Sequence, residues 1–411
     1  MRTLKFSIYD EFACTGPECE DTCCQHWRIL LTKREYLNFK KMDCSPELRA
    51  AMDSAFKRIK TGDDFHYAQV QFREDGTCPL LGEDRLCMLQ KEKGASALTI
   101  VCSAFPRNWK HIGTDVVACT LTPTCYHVID LLMKHPEGLA LIEEEYDGKN
   151  KWINRKQWTG GTPLPTSAKI YPYIWQIKTA QLDILQNRDF TIAERLLILG
   201  YYTKKAAEYL ESSPEKIEQL GAMMLDKELC RKLADSLKPT QTDTEAAAKS
   251  VDILFKLTEY TRRNLPKSHT ADLLKPIAET IDMQYEATEG DTYNTHWNTN
   301  AYIKNCEIYS KIEKERPYIT ENLLATLAFS SFSKDGEELW SDYFSLAVLY
   351  NFLKMGTAAF LPENYTDKDL AMAITNIVKT LLNAGLAMAV ALQDFISNDT
   401  NSLPYVAFLI G

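Results

Sequence analysis

The sequence predicts a mainly α protein in two parts: a cysteine-rich α+β N-terminal domain with short strands and hairpins, then an all-α C-terminal domain. Three observations carry this. Ten of the twelve cysteines lie between Cys14 and Cys125. Apolar residues alternate with polar ones only within the N-terminal third, whereas beyond it they recur at helical spacing almost throughout. Between the two patterns, Asp147 to Thr166 is rich in Gly, Pro and polar residues and reads as a linker. The expected domains are therefore residues 1–150 and 151–411.

Thr32 to Met42 and Ser45 to Lys60 read as helices, the second with Ser45 as N-cap, Pro46 in its first turn and an apolar stripe of Leu48, Met52, Phe56 and Ile59. Between Phe65 and Leu89 the period drops to two, as in Ala68, Val70 and Phe72, and turn signals at Asp75-Gly76 and Gly82-Glu83-Asp84 suggest short strands. Trp109-Lys110-His111 and Val116-Val117-Ala118 flank Gly113-Thr114 as a strand pair, and a helix follows from about His127 to Lys134. Past the linker the expected helices are Tyr173 to Gln186, a capping box at Thr191 and Glu194 opening a helix to Leu210, Pro214 to Leu225, Thr244 to Arg263 and Asp272 to Tyr285. They resume at Tyr302 to Glu315, Ile319 to Phe332, Glu337 to Met355 and Asp367 to Phe395.

Composition narrows the function classes. A chain of 411 residues that is 45% hydrophobic can build cores for two or three domains. The net charge of −9 and the scattering of Lys and Arg among acids argue against nucleic acid as partner, since phosphate binding needs a concentrated basic face. Met1 to Glu11 holds neither an unbroken apolar core nor a small-residue cleavage site, so a cytoplasmic location with reduced thiols is expected. Ser345 to Leu361 is interrupted by Asn351 and Lys354, and Ala384 to Leu392 is too short to cross hydrocarbon. No spanning helix is expected, while peripheral contact with a membrane stays open.

Reduced thiols at this density read as metal ligation or redox chemistry. Cys14-x4-Cys19-x3-Cys23-Cys24 has spacings compatible with tetrahedral zinc and equally with an iron-sulfur cluster. The adjacent Cys23 and Cys24 point in different directions, so one of them can serve another site or simply pack. A second group supplies Cys78-Pro79, Cys87-Met88, Cys102-x-x-Phe105-Pro106-Arg107 and Leu121-Thr-Pro-Thr-Cys125.

In this order the motifs resemble the cysteine-rich zinc- or iron-chelating domain. Asp84-Arg85-Leu86-Cys87, Cys102-x-x-Phe105-Pro106-Arg107 and the closing Leu-Thr-x-Thr-Cys resemble, more closely, the flagellin lysine-N-methylase family, whose length and helical C-terminal half this chain also matches. The resemblance covers roughly the first third of the chain. It implies a protein-lysine N-methyltransferase that moves methyl groups from S-adenosylmethionine to flagellin lysines in the bacterial cytosol, with cysteines holding an iron-sulfur cluster of the 4Fe-4S type, or zinc as the alternative. The ligands it implies are Cys14, Cys19, Cys23, Cys24, Cys78, Cys87, Cys102 and Cys125. Cys44 and Cys119 fall outside the pattern.

Two features depart from better-known methyltransferases. No Gly-x-Gly-x-x-Gly turn follows a strand, and no Cys-x3-Cys-x2-Cys triplet is present. The donor site and the catalytic base are therefore unassigned. Competing readings are a non-catalytic zinc- or iron-binding interaction protein and an iron-sulfur redox or maturation factor. Around the thiols, His26, His111 and His127 either replace a ligand or, as the better reading, are polar neighbours or hydrogen-bond donors, Trp27 and Trp109 either shield a cluster or pack, and Arg107 sits either beside an anionic cluster or in a turn paired to a surface carboxylate. Glu143-Glu144-Glu145 either attracts a lysine-bearing substrate or forms a solvated helix face.

Overall fold

The computed structural model describes residues 1–25, 27–148, 163–238, 243–265, 268–287, 293–383 and 402–410. It opens with β1 (Arg2–Phe6) and a single turn, α1 (Ile8–Glu11), then the first cysteine loop and β2 (Leu30–Leu31). Thr32 starts α2 (Lys33–Lys41) through a reciprocal cap with Glu35, which satisfies donors that the first turn leaves free. Ser45 accepts from the Leu48 amide to start α3 (Pro46–Ala55).

That helix is shorter than its periodicity suggested. Phe56 leaves it to begin β3 (Phe56–Arg58), which pairs antiparallel with β4 (Ala68–Val70), and β4 pairs with β2. Strand pairing overrides local helical spacing here, and Phe56 is buried from the strand instead. After α4 (Met88–Lys93) and α5 (Ile100–Ala104) come the expected antiparallel pair β5 (Arg107–Ile112) and β6 (Val116–Leu121), with Trp109 opposite Cys119. Gly113, at φ +62°, supplies the left-handed turn residue between them. Next are α6 (Tyr126–Leu132) and β7 (Leu141–Glu145).

β5, β6, β1 and β7 lie side by side in that order, β1 parallel to β6 and antiparallel to β7. The acidic run is thus an edge strand, not a helix face. Arg2 and Lys5 of β1 hold Glu143 and Glu144, each at 2.7 Å, and these cross-strand pairs favour the extended form.

The rest is helical: α7 (Ile174–Leu185), α8 (Ile192–Ser212), α9 (Ile217–Met223), α10 (Lys227–Leu237), α11 (Asp243–Asn264) and α12 (His269–Thr280). The capping box between Thr191 and Glu194 is present. Helix α12 stops before Tyr285, because Asp282 turns into the left-handed region and the chain enters a hairpin of β8 (Gln284–Ala287) and β9 (Tyr293–His296). Tyr285 and Tyr293 pack on Phe255 of α11, so this part is mostly helical with one hairpin that the helical pattern concealed. Then follow α13 (Thr299–Glu315), α14 (Pro317–Ser330), α15 (Gly336–Gly356), α16 (Asp367–Leu382) and α17 (Leu403–Ile410). Residues 384–395 of the long helix expected from Asp367, and most of the expected linker, lie outside the described residues.

Two cores result. The smaller gathers α2, α3 and the three-stranded sheet, with Cys78 inside it and Cys24, Cys87 and Cys102 against it. The larger joins the four-stranded sheet to the helices, and α14 carries much of the join. Asn322 donates to the carbonyls of Leu132 and His135 at the end of α6, at 3.0 and 2.8 Å. Glu321, 2% exposed at its side chain, receives Arg188 and the buried Arg195 at 2.8 Å each. Among the described residues no helix is long and apolar enough to cross a membrane.

Candidate functional site

The first cysteine loop is pinned from several sides. The Cys78 amide donates to the Cys24 carbonyl at 2.8 Å, Gln25 bridges to Thr77, and Arg85 donates to the Cys19 carbonyl at 2.6 Å. These contacts bring thiols distant in sequence into one region, and their mutual electrostatics reveal which ones are neighbours. Burial pushes Cys78 up to about 12, and the charges of Cys24 and Cys87 add to it. Burial likewise takes Cys102 to about 12, with Cys24, Cys78 and Cys87 acting on it, and raises Cys87, where Cys24 contributes. Burial also raises Cys125, to about 12, and Cys19, with Cys14 acting on both and Cys19 on Cys125.

Cys24, Cys78, Cys87 and Cys102 therefore share one neighbourhood, and Cys14, Cys19 and Cys125 share another. Cys23 touches both: its hydrogen bond with Cys24 raises it, and Cys102 and Cys14 act on it as well. The same bond lowers Cys24 to about 7, because the proton stays on Cys23.

Soft thiolates in sets of this size suit zinc or an iron-sulfur cluster. As the side chains stand, however, among the described residues no three His, Cys, Asp or Glu side chains are set to hold one metal ion. The donor chemistry fits and the present spacing does not, so no chemical step is derived through a metal.

The remaining expected neighbours separate clearly. Cys119 is buried on β6 and Cys230 on α10, Cys44 packs against the smaller core, and Cys306 lies against the larger one. Trp109 is 1% exposed in the larger core, opposite Cys119 across β5 and β6. Among the described residues Arg107 joins no carboxylate; it donates to the Phe12 carbonyl at 2.7 Å and lies over the Phe12 ring, 4.9 Å from its centroid. His127 sits 3.6 Å from Asp130 and edge-on to Phe12. His26 lies outside the described residues.

Beside the thiols a cleft opens between the N-terminal part and the helices. Asp21, Cys23, Gln25 and Trp27 line it from the first loop, Phe105 and Cys125 from the second motif, and His269 and Lys379 from α12 and α16. Its cavity volume is about 40 Å³. Trp27 and Phe105 pack at 5.0 Å between centroids, and Trp27 also donates its ring N–H to the Cys23 carbonyl. In the same cleft Lys379 forms an ion pair with Asp21, their side chains only 12% and 10% exposed. Asp21 also receives Gln25 at 3.4 Å. A second pair joins the same two segments, where the exposed Lys368 of α16 holds Glu20 at 2.7 Å.

Asp21, His269 and Lys379 were not singled out by the sequence. Asp21 lies inside the cysteine motif and could have been marked there. His269 and Lys379 carry no local signal, since only the packing of α16 on α6 and α12 brings them to the loop.

Comparison with known proteins agrees with this architecture. Residues 179–409 match the FliB lysine N-methylase C-terminal domain, more than half of the chain. A lysine-N-methylase of Salmonella typhimurium is 25% identical over 286 residues, covering 68% of this chain and 66% of that protein, and one of Salmonella choleraesuis matches equally. The match thus spans just under two thirds of those relatives. The flagellar biosynthetic protein FliU of Salmonella muenchen is 31% identical over 145 residues, which are 35% of this chain and 84% of that protein. No solved structure matches. With more than half its length in that domain and its cysteine motifs in place ahead of it, the chain belongs to the FliB lysine N-methylase family.

Proposed function

We propose that this protein transfers methyl groups from S-adenosylmethionine to lysine side chains of flagellin in the cytoplasm. We propose further that residues 1–150 form the cysteine-rich unit, holding an iron-sulfur cluster or zinc through Cys14, Cys19, Cys23, Cys24, Cys78, Cys87, Cys102 and Cys125, and that 151–411 form the helical unit. The family match over residues 179–409 carries the reading. Support for the ligand set is the mutual electrostatic influence of those thiols, in which Cys24 and Cys125 cross from the group their sequence position suggests.

The chemistry sets clear demands. A free lysine, with its ordinary pKa near 10.4, must give up a proton before its ε-nitrogen can attack. The nitrogen lone pair then forms a bond to the methyl carbon as the carbon–sulfur bond breaks, leaving S-adenosylhomocysteine. A partly dry cleft with an aromatic wall and a carboxylate suits the binding of the lysine as its alkylammonium, the form such a site favours, and the proton must then pass to water or a base before the nitrogen attacks.

Formation of S-adenosylhomocysteine by the purified protein tests the reading. Product is expected with flagellin and absent with flagellin whose lysines have been acetylated. Equal product from both would overturn it.

A further inference from the structure

The cleft beside the thiols already contains a lysine. We infer that the seat formed by Asp21, Trp27 and Phe105 receives the ε-ammonium of the acceptor lysine, and that Lys379 occupies this seat in the free protein. The inference rests on the lysine-methylation reading and assigns that activity a binding site.

Three observations converge. First, the Asp21–Lys379 pair is nearly enclosed, unlike the Lys368–Glu20 pair that bridges the same two segments with side chains 73% and 44% exposed. A surface tether needs no such enclosure, whereas a recognition site for a cation does. Second, the carboxylate lines the same cleft as an aromatic pair, and ring faces attract an alkylammonium. Third, the remaining cavity of about 40 Å³ has room for only a few waters and so suits the tip of a lysine rather than a nucleoside-bearing donor.

Lys379 has somewhere to go when displaced. It lies in the last turn of α16, where the helix carbonyls favour a cation. Occupation by an internal lysine lowers the fraction of protein open to an incoming one, and apparent affinity falls by the same fraction.

The test is calorimetric titration, without methyl donor, of two peptides that differ only in lysine against norleucine. Wild type should prefer the lysine peptide. Lys379→Met should bind it about tenfold more tightly by removing the internal competitor. Asp21→Asn should erase the preference, and Lys368→Ala should behave as wild type. In wild-type protein, acylation of Lys379 by an amine reagent should rise when the lysine peptide is present and stay constant with the norleucine peptide. This second measurement needs no variant to fold.

The inference is overturned if Lys379→Met gains no affinity while folded, if Asp21→Asn keeps the preference, or if peptide leaves Lys379 labelling unchanged. Lysine binding of the expected pattern without any methyl transfer would sink the activity and keep the site. Methyl transfer with an unaltered KM in Asp21→Asn would do the reverse.

Discussion

Lys379 and Asp21 stand 358 residues apart in the chain, yet they close an ion pair that fastens the end of α16 to the first cysteine loop. Burying two charges costs solvation that only mutual pairing and good hydrogen bonding offset. A double-mutant cycle with Asp21→Asn and Lys379→Met should therefore give a coupling of about 1–3 kcal/mol in urea unfolding. The exposed Glu20–Lys368 pair should give less than about 1 kcal/mol. Equal couplings would show that enclosure adds nothing.

Glu321 offers a sharper stability test. It is enclosed with Arg195 on one side and takes Arg188 on the other, so Glu321→Gln removes the counter-charge of a buried guanidinium and leaves it the Phe190 and Leu185 carbonyls. The expected loss is roughly 3–5 kcal/mol, measured by denaturant unfolding. A loss below about 1 kcal/mol would mean that the carbonyls of Phe190 and Leu185 suffice to hold Arg195.

Much of the helical scaffold is legible from local chemistry. Ser45, Pro46, Thr191 and Glu194 mark helix starts through groups that satisfy free amides, and these starts are where the structure has them. Helix ends and strand pairing are less legible, since Phe56 and Tyr285 leave helical periodicity for partners that only tertiary contact supplies. The cysteines teach the same lesson: Cys24 follows Cys23 directly yet neighbours Cys78, Cys87 and Cys102, and Cys125 neighbours Cys14 and Cys19. Lys379 was invisible because nothing near it in sequence hints at a partner in the first loop.

Stability should also respond to pH through Lys178. Burial drops this lysine to about 8, although it donates to the Ala328 carbonyl at 2.6 Å and to Gln181 at 3.1 Å. The unfolded chain, with the ordinary lysine value, holds the proton more tightly between about pH 8 and 10.5. Folding stability from this group therefore rises with pH across that window and is lost as pH falls back through 8, by the order of 3 kcal/mol in all. The difference in unfolding free energy between wild type and Lys178→Met should move by that order between pH 7 and 10. A flat difference would exclude a depressed value.

Metal retention should follow the thiol neighbourhoods rather than the sequence groups. Cys24→Ser should resemble Cys102→Ser in the metal lost, and Cys125→Ser should resemble Cys19→Ser, while Cys230→Ser leaves metal content unchanged. Elemental analysis of protein purified without oxygen measures this. Loss in Cys24→Ser that matches Cys19→Ser instead would return the assignment to sequence order.

The most direct measurement is mass spectrometry of flagellin after incubation with this protein and methyl-labelled S-adenosylmethionine. Label on lysine ε-nitrogens, with KM for flagellin raised when Asp21 becomes Asn, is the predicted result. Flagellin left unlabelled by correctly folded, metal-loaded protein would contradict it.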